Sequence, residues 1–109
     1  MAISYSQVAQ ARENSTNAVS VYSSGSSETV QIFAKICNTT TSDVALRLFH
    51  DNDGTTYDES TALVWDIIIE PGQVFDTDKI FMNNSSGNFA YRSGTANALT
   101  ITVYGVVKS

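Results

Sequence analysis

Three stretches of this chain place their apolar side chains at every second residue, and that periodicity constrains the fold more than any other feature. In "TVQIFAKIC" the residues Val30, Ile32, Ala34 and Ile36 share one face, while Gln31, Phe33, Lys35 and Cys37 share the other. In "DVALRLFH" Val44, Leu46 and Leu48 alternate with Ala45, Arg47 and Phe49, and in "ALTITVYGVVK" Leu99, Ile101 and Val103 alternate with Thr100, Thr102 and Tyr104. Side chains of an extended chain point alternately to opposite sides, so each stretch predicts a strand with one face on a core. Between them lie "AVSVYSS" (18–24), "TALVWDIIIE" (61–70), "GQVFDT" (72–77), "KIFM" (79–82) and "NFAYRS" (88–93), separated by "SSGSS", "NTTTSD", "NDGTT", "EPG" and "NNSSGN" as turns. Seven or eight short strands with regular turns predict an all-β fold, an antiparallel β-sandwich or jelly roll. The second faces leave Phe33, Phe49 and Trp65 or its strand neighbours for the exterior, and an open sandwich has edge strands that partners are expected to cover.

A chain of 109 residues holds one core, and its 42% hydrophobic content suffices to build that core without staples. Cys37 is the sole cysteine, so no intrachain disulfide can form. Residues 1–17 differ from the rest of the chain: "SYSQVAQAREN" is rich in helix formers but weakly amphipathic and about three turns long. The expectation is an N-terminal arm or short helix over 1–17 that orders against a neighbour, ahead of a sandwich domain over 18–109. Removing residues 1–14 should then leave the sandwich folded. No stretch approaches the roughly 20 apolar residues of a membrane-spanning helix, and "MAISYSQVAQARE" lacks the basic head and apolar core of a secretion signal. A soluble chain made in a cytoplasm is expected, with no membrane partner, and the sequons at Asn14, Asn38, Asn83 and Asn84 carry little weight there. Six basic residues (Arg12, Lys35, Arg47, Lys79, Arg92, Lys108) are scattered singly among eleven acids, giving a net charge of −5. Nucleic acid is not an expected partner, because tracking phosphates needs clustered Lys and Arg.

The candidates for chemistry concentrate in "HDNDGTTYDES" (50–60), where His50 stands beside Asp51, Asp53, Asp58 and Glu59. Aligning Gly54 with the glycine of a calcium loop puts Phe49 and Ser60 at its two end ligand positions, so that cage fails. A looser calcium site would draw on Asp51, Asp53 and Asp58; a solvated connector explains the same acids more simply, and no metal is expected. His50 and Cys37 are residue types of a nucleophilic pair, yet neither has an identifiable third partner. Asp76 and Asp78 straddle Thr77 as an acid and base pair would, or as an Asp-rich turn does. Trp65, Tyr57 and Tyr91 could form a stacking platform for a carbohydrate, although aromatics also fill any sandwich core. No phosphate loop, HExxH or CxxC occurs, so no cofactor and no enzymatic activity are expected.

Taken together, "ICNTTTSDVALRLFHDNDGTTYDESTALVWDIIIEPGQVFDTDKIFM", a Ser/Asn-rich turn and "ALTITVYGVV" resemble the small β-sandwich structural proteins of tailed bacteriophages, over residues 18 to about 107. The resemblance implies a virion component assembled in the host cytoplasm. It would be a capsid decoration (cement) protein on the head, or a tail or neck accessory subunit. Its partners would be itself, as a homotrimer suited to local threefold positions of a shell, and other virion proteins such as the major capsid protein. The expected partner-binding residues are Ile3, Tyr5 and Val8 on the arm, with Tyr57 and Asn84 at exposed loop tips. A carbohydrate-binding module for host attachment is the reading from another class.

Overall fold

The computed structural model describes residues 3–25, 28–52, 56–82 and 87–108. Among them are nine strands and no helix: β1 (Ile3–Arg12), β2 (Val19–Ser23), β3 (Thr29–Asn38), β4 (Val44–Asp51), β5 (Ala62–Ile69), β6 (Val74–Asp76), β7 (Ile80–Met82), β8 (Asn88–Ser93) and β9 (Leu99–Lys108). Against the seven or eight strands expected, all eight stretches read from alternation and turn residues are strands, and the ninth is β1. All pairings are antiparallel.

One sheet has the order β1-β9-β3-β6, with β7 also on β3; the other has the order β2-β8-β4-β5. β6 and β7 pair with successive stretches of the same edge of β3, Lys35–Cys37 and Val30–Ile32, so they are one strand interrupted by a bulge. Thr77 bridges the interruption: its N–H donates to the Ala34 carbonyl (3.0 Å) and its Oγ1 accepts from the Ala34 N–H (2.8 Å). With β6 and β7 taken as one strand, first pairs with last, second with second-last, and so inward to the β4–β5 hairpin. That is a long hairpin wrapped into two sheets, a jelly roll.

The core follows the alternation. Val30, Ile32, Ala34 and Ile36 from β3, Val44, Leu46 and Leu48 from β4, and Leu99, Ile101 and Val103 from β9 are all at most 1% exposed. Phe89 and Tyr91 of β8 complete it. Two turns carry the chain between sheets and lock on each other. Asn38, fully buried at the end of β3, donates from Nδ2 to the carbonyls of Ser42 (2.8 Å) and Ile69 (2.8 Å), and its Oδ1 accepts from Thr40 N–H (2.9 Å) and Thr40 Oγ1 (2.7 Å). Opposite it, the Gln73 N–H donates to the Glu70 carbonyl (3.0 Å) around Pro71 and Gly72, whose φ of 75° marks a type II turn.

Residues 3–12 form neither an arm nor a helix. They are an edge strand in register with β9 from Ile3↔Lys108 to Arg12↔Thr100, and Val8, Ala9 and Ala11 pack against the core. Helix propensity over ten residues is worth little against a ready ladder on β9 and burial of an apolar face.

Candidate functional site

Edge strands carry unpaired backbone groups, so the four edges of the sandwich are where this fold can meet another chain. β2 is short and Ser-rich, and its pairing slips between Ser20 and Tyr22. β1 is bulged between Gln7 and Ala9. The β6–β7 edge is broken at Thr77–Lys79 and carries Asp76, Asp78 and Lys79. β5 has eight residues, "ALVWDIII", with neither Lys nor Pro, and among the described residues it pairs only with β4.

Two bulges shape β5. Leu46 pairs with Ile67 but Leu48 with Val64, and Phe49 then pairs with Ala62, leaving extra residues at Trp65–Asp66 and at Leu63. Asp66 sits in the first at φ 55°, a left-handed conformation that Asp tolerates better than most residues. Arg47 of β4 holds it there with two parallel bonds, Nε to Oδ1 (2.7 Å) and a terminal nitrogen to Oδ2 (2.9 Å). This pairing, and secondarily the charge of Arg47, holds the Asp66 carboxyl below its ordinary pKa and raises that of Arg47. The same guanidinium lies 3.7 Å from the centroid of the Trp65 ring.

Apolar side chains stand exposed along two of the edges. Leu63, Trp65, Ile67 and Ile68 of β5, and Val74 and Phe81 on the facing β6–β7 edge, are six of the seven large apolar side chains left exposed among the described residues; Phe33 is the other. Between the two edges runs a groove of about 310 Å³ with Leu63, Val64, Phe75 and Ile80 along it and Asp76, Asp78 and Lys79 on its rim. The sandwich is open on this side.

The expected site residues fall differently. The backbones of Ile3 and Tyr5 belong to the β1–β9 ladder, opposite Lys108 and Val106. Val8 is the bulge residue of β1 and packs inward, so it is spent on the core. Tyr57 is half-buried, its ring 5.9 Å from that of Phe49, rather than standing at a loop tip. Asn84 lies outside the described residues. Phe49, expected on the exterior, is only 1% exposed because Tyr57 covers it and Trp65 packs edge-on against it at 6.4 Å.

The acidic loop closes on itself. Asp51 is buried and its Oδ2 accepts from the Thr56 N–H (2.8 Å). Asp58 Oδ1 accepts from the Ser60 N–H (2.8 Å), and Thr61 Oγ1 donates to the Thr56 carbonyl (2.9 Å). Among the described residues no three His, Cys, Asp or Glu side chains converge as metal ligands; Asp53 lies outside them. His50 and Cys37 are not brought together: they lie on different sheets, and six residues of β4 put His50 about 20 Å from the turn next to Cys37. Burial lowers the His50 pKa against the weaker opposing pull of Asp51, and its Nε2 is buried without a hydrogen-bond partner. Asp76 is in an ion pair with Lys35 (2.9 Å). Tyr91 is wholly buried with its hydroxyl accepting from the Glu13 N–H (2.8 Å), so it cannot join Trp65 and Tyr57 in a stacking platform.

No family model matches this chain, and neither a curated protein nor a solved structure matches it. Its function is therefore to be read from its own surface and its own residues. The signal for the β5 edge was in "WDIII", where alternation stops and apolar residues continue on both faces.

Proposed function

We propose that this protein is a non-enzymatic assembly subunit whose work is to bind other protein chains through the open side of its sandwich. One observation carries the reading: among the described residues, six of the seven exposed large apolar side chains lie on the β5 and β6–β7 edges. Large apolar patches on a soluble surface mark sites of association, and an edge strand without Lys or Pro leaves backbone groups for another chain on either side of its bulges.

In its specific form the proposal is a bacteriophage virion structural protein, a capsid decoration protein that self-associates as a homotrimer and binds neighbouring capsid subunits. The sequence resemblance supports this form, and a tail or neck accessory subunit is its nearest variant. Jelly rolls serve both viral shells and lectins, so the fold leaves both classes open and the surface has to choose. The buried Tyr91 and the Arg47 guanidinium against the Trp65 ring weigh against a glycan platform.

Light scattering on the purified chain tests the reading. A trimer that persists on dilution is the expected result; a monomer at every concentration, together with no binding to capsid subunits, would overturn it.

A further inference from the structure

Two structural facts meet at β5. Its outer edge offers backbone donors and acceptors with no strand among the described residues to take them, and the groove beside that edge is deep enough to reach Leu48, itself only 1% exposed. An added strand would satisfy the first with its main chain and fill the second with alternate side chains. The charges around the site decide which strand. Asp66 and Asp76 are neutralised by Arg47 and Lys35. Glu59, beside Trp65, Glu70, where the chain leaves β5, and Asp78, on the groove rim, are exposed and, among the described residues, in no ion pair; against them stand Lys79 and, towards Glu59, the Arg47 charge already committed to Asp66.

A second copy of this chain is a poor occupant. In an antiparallel pair of β5 strands, Glu70 of each copy would approach the Glu59 end of the other, and like charges across a strand pair are unfavourable. We infer that the β5 edge and its groove receive an extended apolar segment of a different polypeptide, flanked at both ends by Lys or Arg, as an added β-strand. This rests on the assembly reading and names the partner's chemistry: apolar alternate residues for the groove, and basic flanks for the Glu59, Glu70 and Asp78 carboxylates. Self-association into a trimer would then use another surface, leaving β5 free for the partner.

The probe is a capped synthetic peptide with an alternating Val/Thr core and two Lys at each end. Its controls are the same core with Glu flanks and a Lys-flanked version N-methylated along one edge of the core. Binding is followed by amide chemical shifts and by fluorescence anisotropy at low and high salt. Expected are shifts centred on residues 62–69, at least about tenfold tighter binding of the Lys-flanked peptide at low salt that narrows at high salt, and loss of binding on N-methylation. Ile68→Lys, at a 55% exposed position, should abolish binding while leaving the melting temperature unchanged. Equal affinity of Lys- and Glu-flanked peptides, shifts elsewhere, or no binding at millimolar peptide would overturn the inference. Light scattering on the same samples keeps the two readings apart. A chain that assembles but ignores the peptide sinks the strand addition alone; a chain that binds peptide yet neither trimerises nor binds capsid subunits sinks the virion reading alone.

Discussion

Asn38→Ala should be among the most damaging single substitutions in this domain, although the residue is polar and sits at the end of a strand. Its side chain is fully buried and makes four hydrogen bonds, two donated and two accepted. The partners fix its orientation: the carbonyls of Ser42 and Ile69 can only accept, and the Thr40 N–H can only donate. Alanine keeps the backbone bonds to Gly72 and Gln73 and removes all four others. The buried bond to the Ile69 carbonyl is lost at a cost of about 1–1.5 kcal/mol, and the three part-buried bonds, whose groups partly recover water, cost about 0.5 kcal/mol each. The sum is about 3 kcal/mol, which for a domain of this size lowers the melting temperature by about 12–15 °C. Calorimetry with urea titration checks this, with Asn52→Ala at an exposed position as the control. A fall of less than about 4 °C, worth under about 1 kcal/mol, would refute the view that this residue ties the two crossing turns together. Asn38→Asp separates the contributions. It keeps the acceptor, loses the donors and places a charge against two carbonyls, so its deficit relative to the parent should shrink as pH falls and the carboxyl regains a proton to donate.

Gly105→Ala should destabilise by about 3 kcal/mol in urea titration, because a Cβ there would lie 2.4 Å from the Gln31 carbonyl oxygen and 2.7 Å from Ile32 Cγ2. Deleting residues 1–14 should unfold the domain or collapse its melting temperature, since it strips the β1 ladder from β9; an unchanged melting curve would restore the arm. For His50 the folded pKa is lowered by burial, so from its ordinary value of 6.5 downward the unfolded chain takes up a proton that the folded chain resists. Stability should therefore fall as pH drops below that value, and His50→Gln should flatten the slope in denaturation series across that range. Asp66 has the same sign at lower pH: its pKa is lowered by Arg47, so the small contribution of this exposed pair is present above 3.8 and lost as pH falls through the lower folded value. The parent and Asp66→Asn should accordingly differ at neutral pH and converge in strong acid.

The fold was legible because the core faces of the strands at 29–38, 44–51 and 99–108 are written as alternation, and because Pro-Gly, Asn-Thr and Ser-rich segments punctuate them. Connectivity was not, since strand lengths and turns alone allow a jelly roll or an immunoglobulin-like sandwich; only the pairing of β1 with β9 and β2 with β8 distinguishes them. The first strand was missed for a physical reason. "ISYSQVAQAR" has its period broken by the bulge at Val8, and Ala and Gln fit a helix as well as an edge. Phe49 misled because alternation assigns a face but says nothing of what a distant loop lays over it, here Tyr57. The apolar edge of β5 was partly visible: Trp65 and its neighbours read as exterior, while Arg47 as the clamp on Asp66 depended on a register that only the folded sheet supplies.

Strand order also bears on how the chain is made. β9 lies between β1 and β3, so the middle of one sheet is the last of the nine described strands to be synthesised. When a ribosome has delivered residues 1–98, β3 still lacks the neighbour that covers it along its whole length, from Thr29↔Lys108 to Asn38↔Leu99. Folding must wait for the final strand and then closes cooperatively, with pairings distant in sequence that form slowly. During that wait each nascent chain holds a vacant slot shaped for residues 99–108, and a neighbouring chain on the same message carries a matching strand. Crowded synthesis should therefore yield exchanged dimers through β9, a product that dilute refolding would avoid.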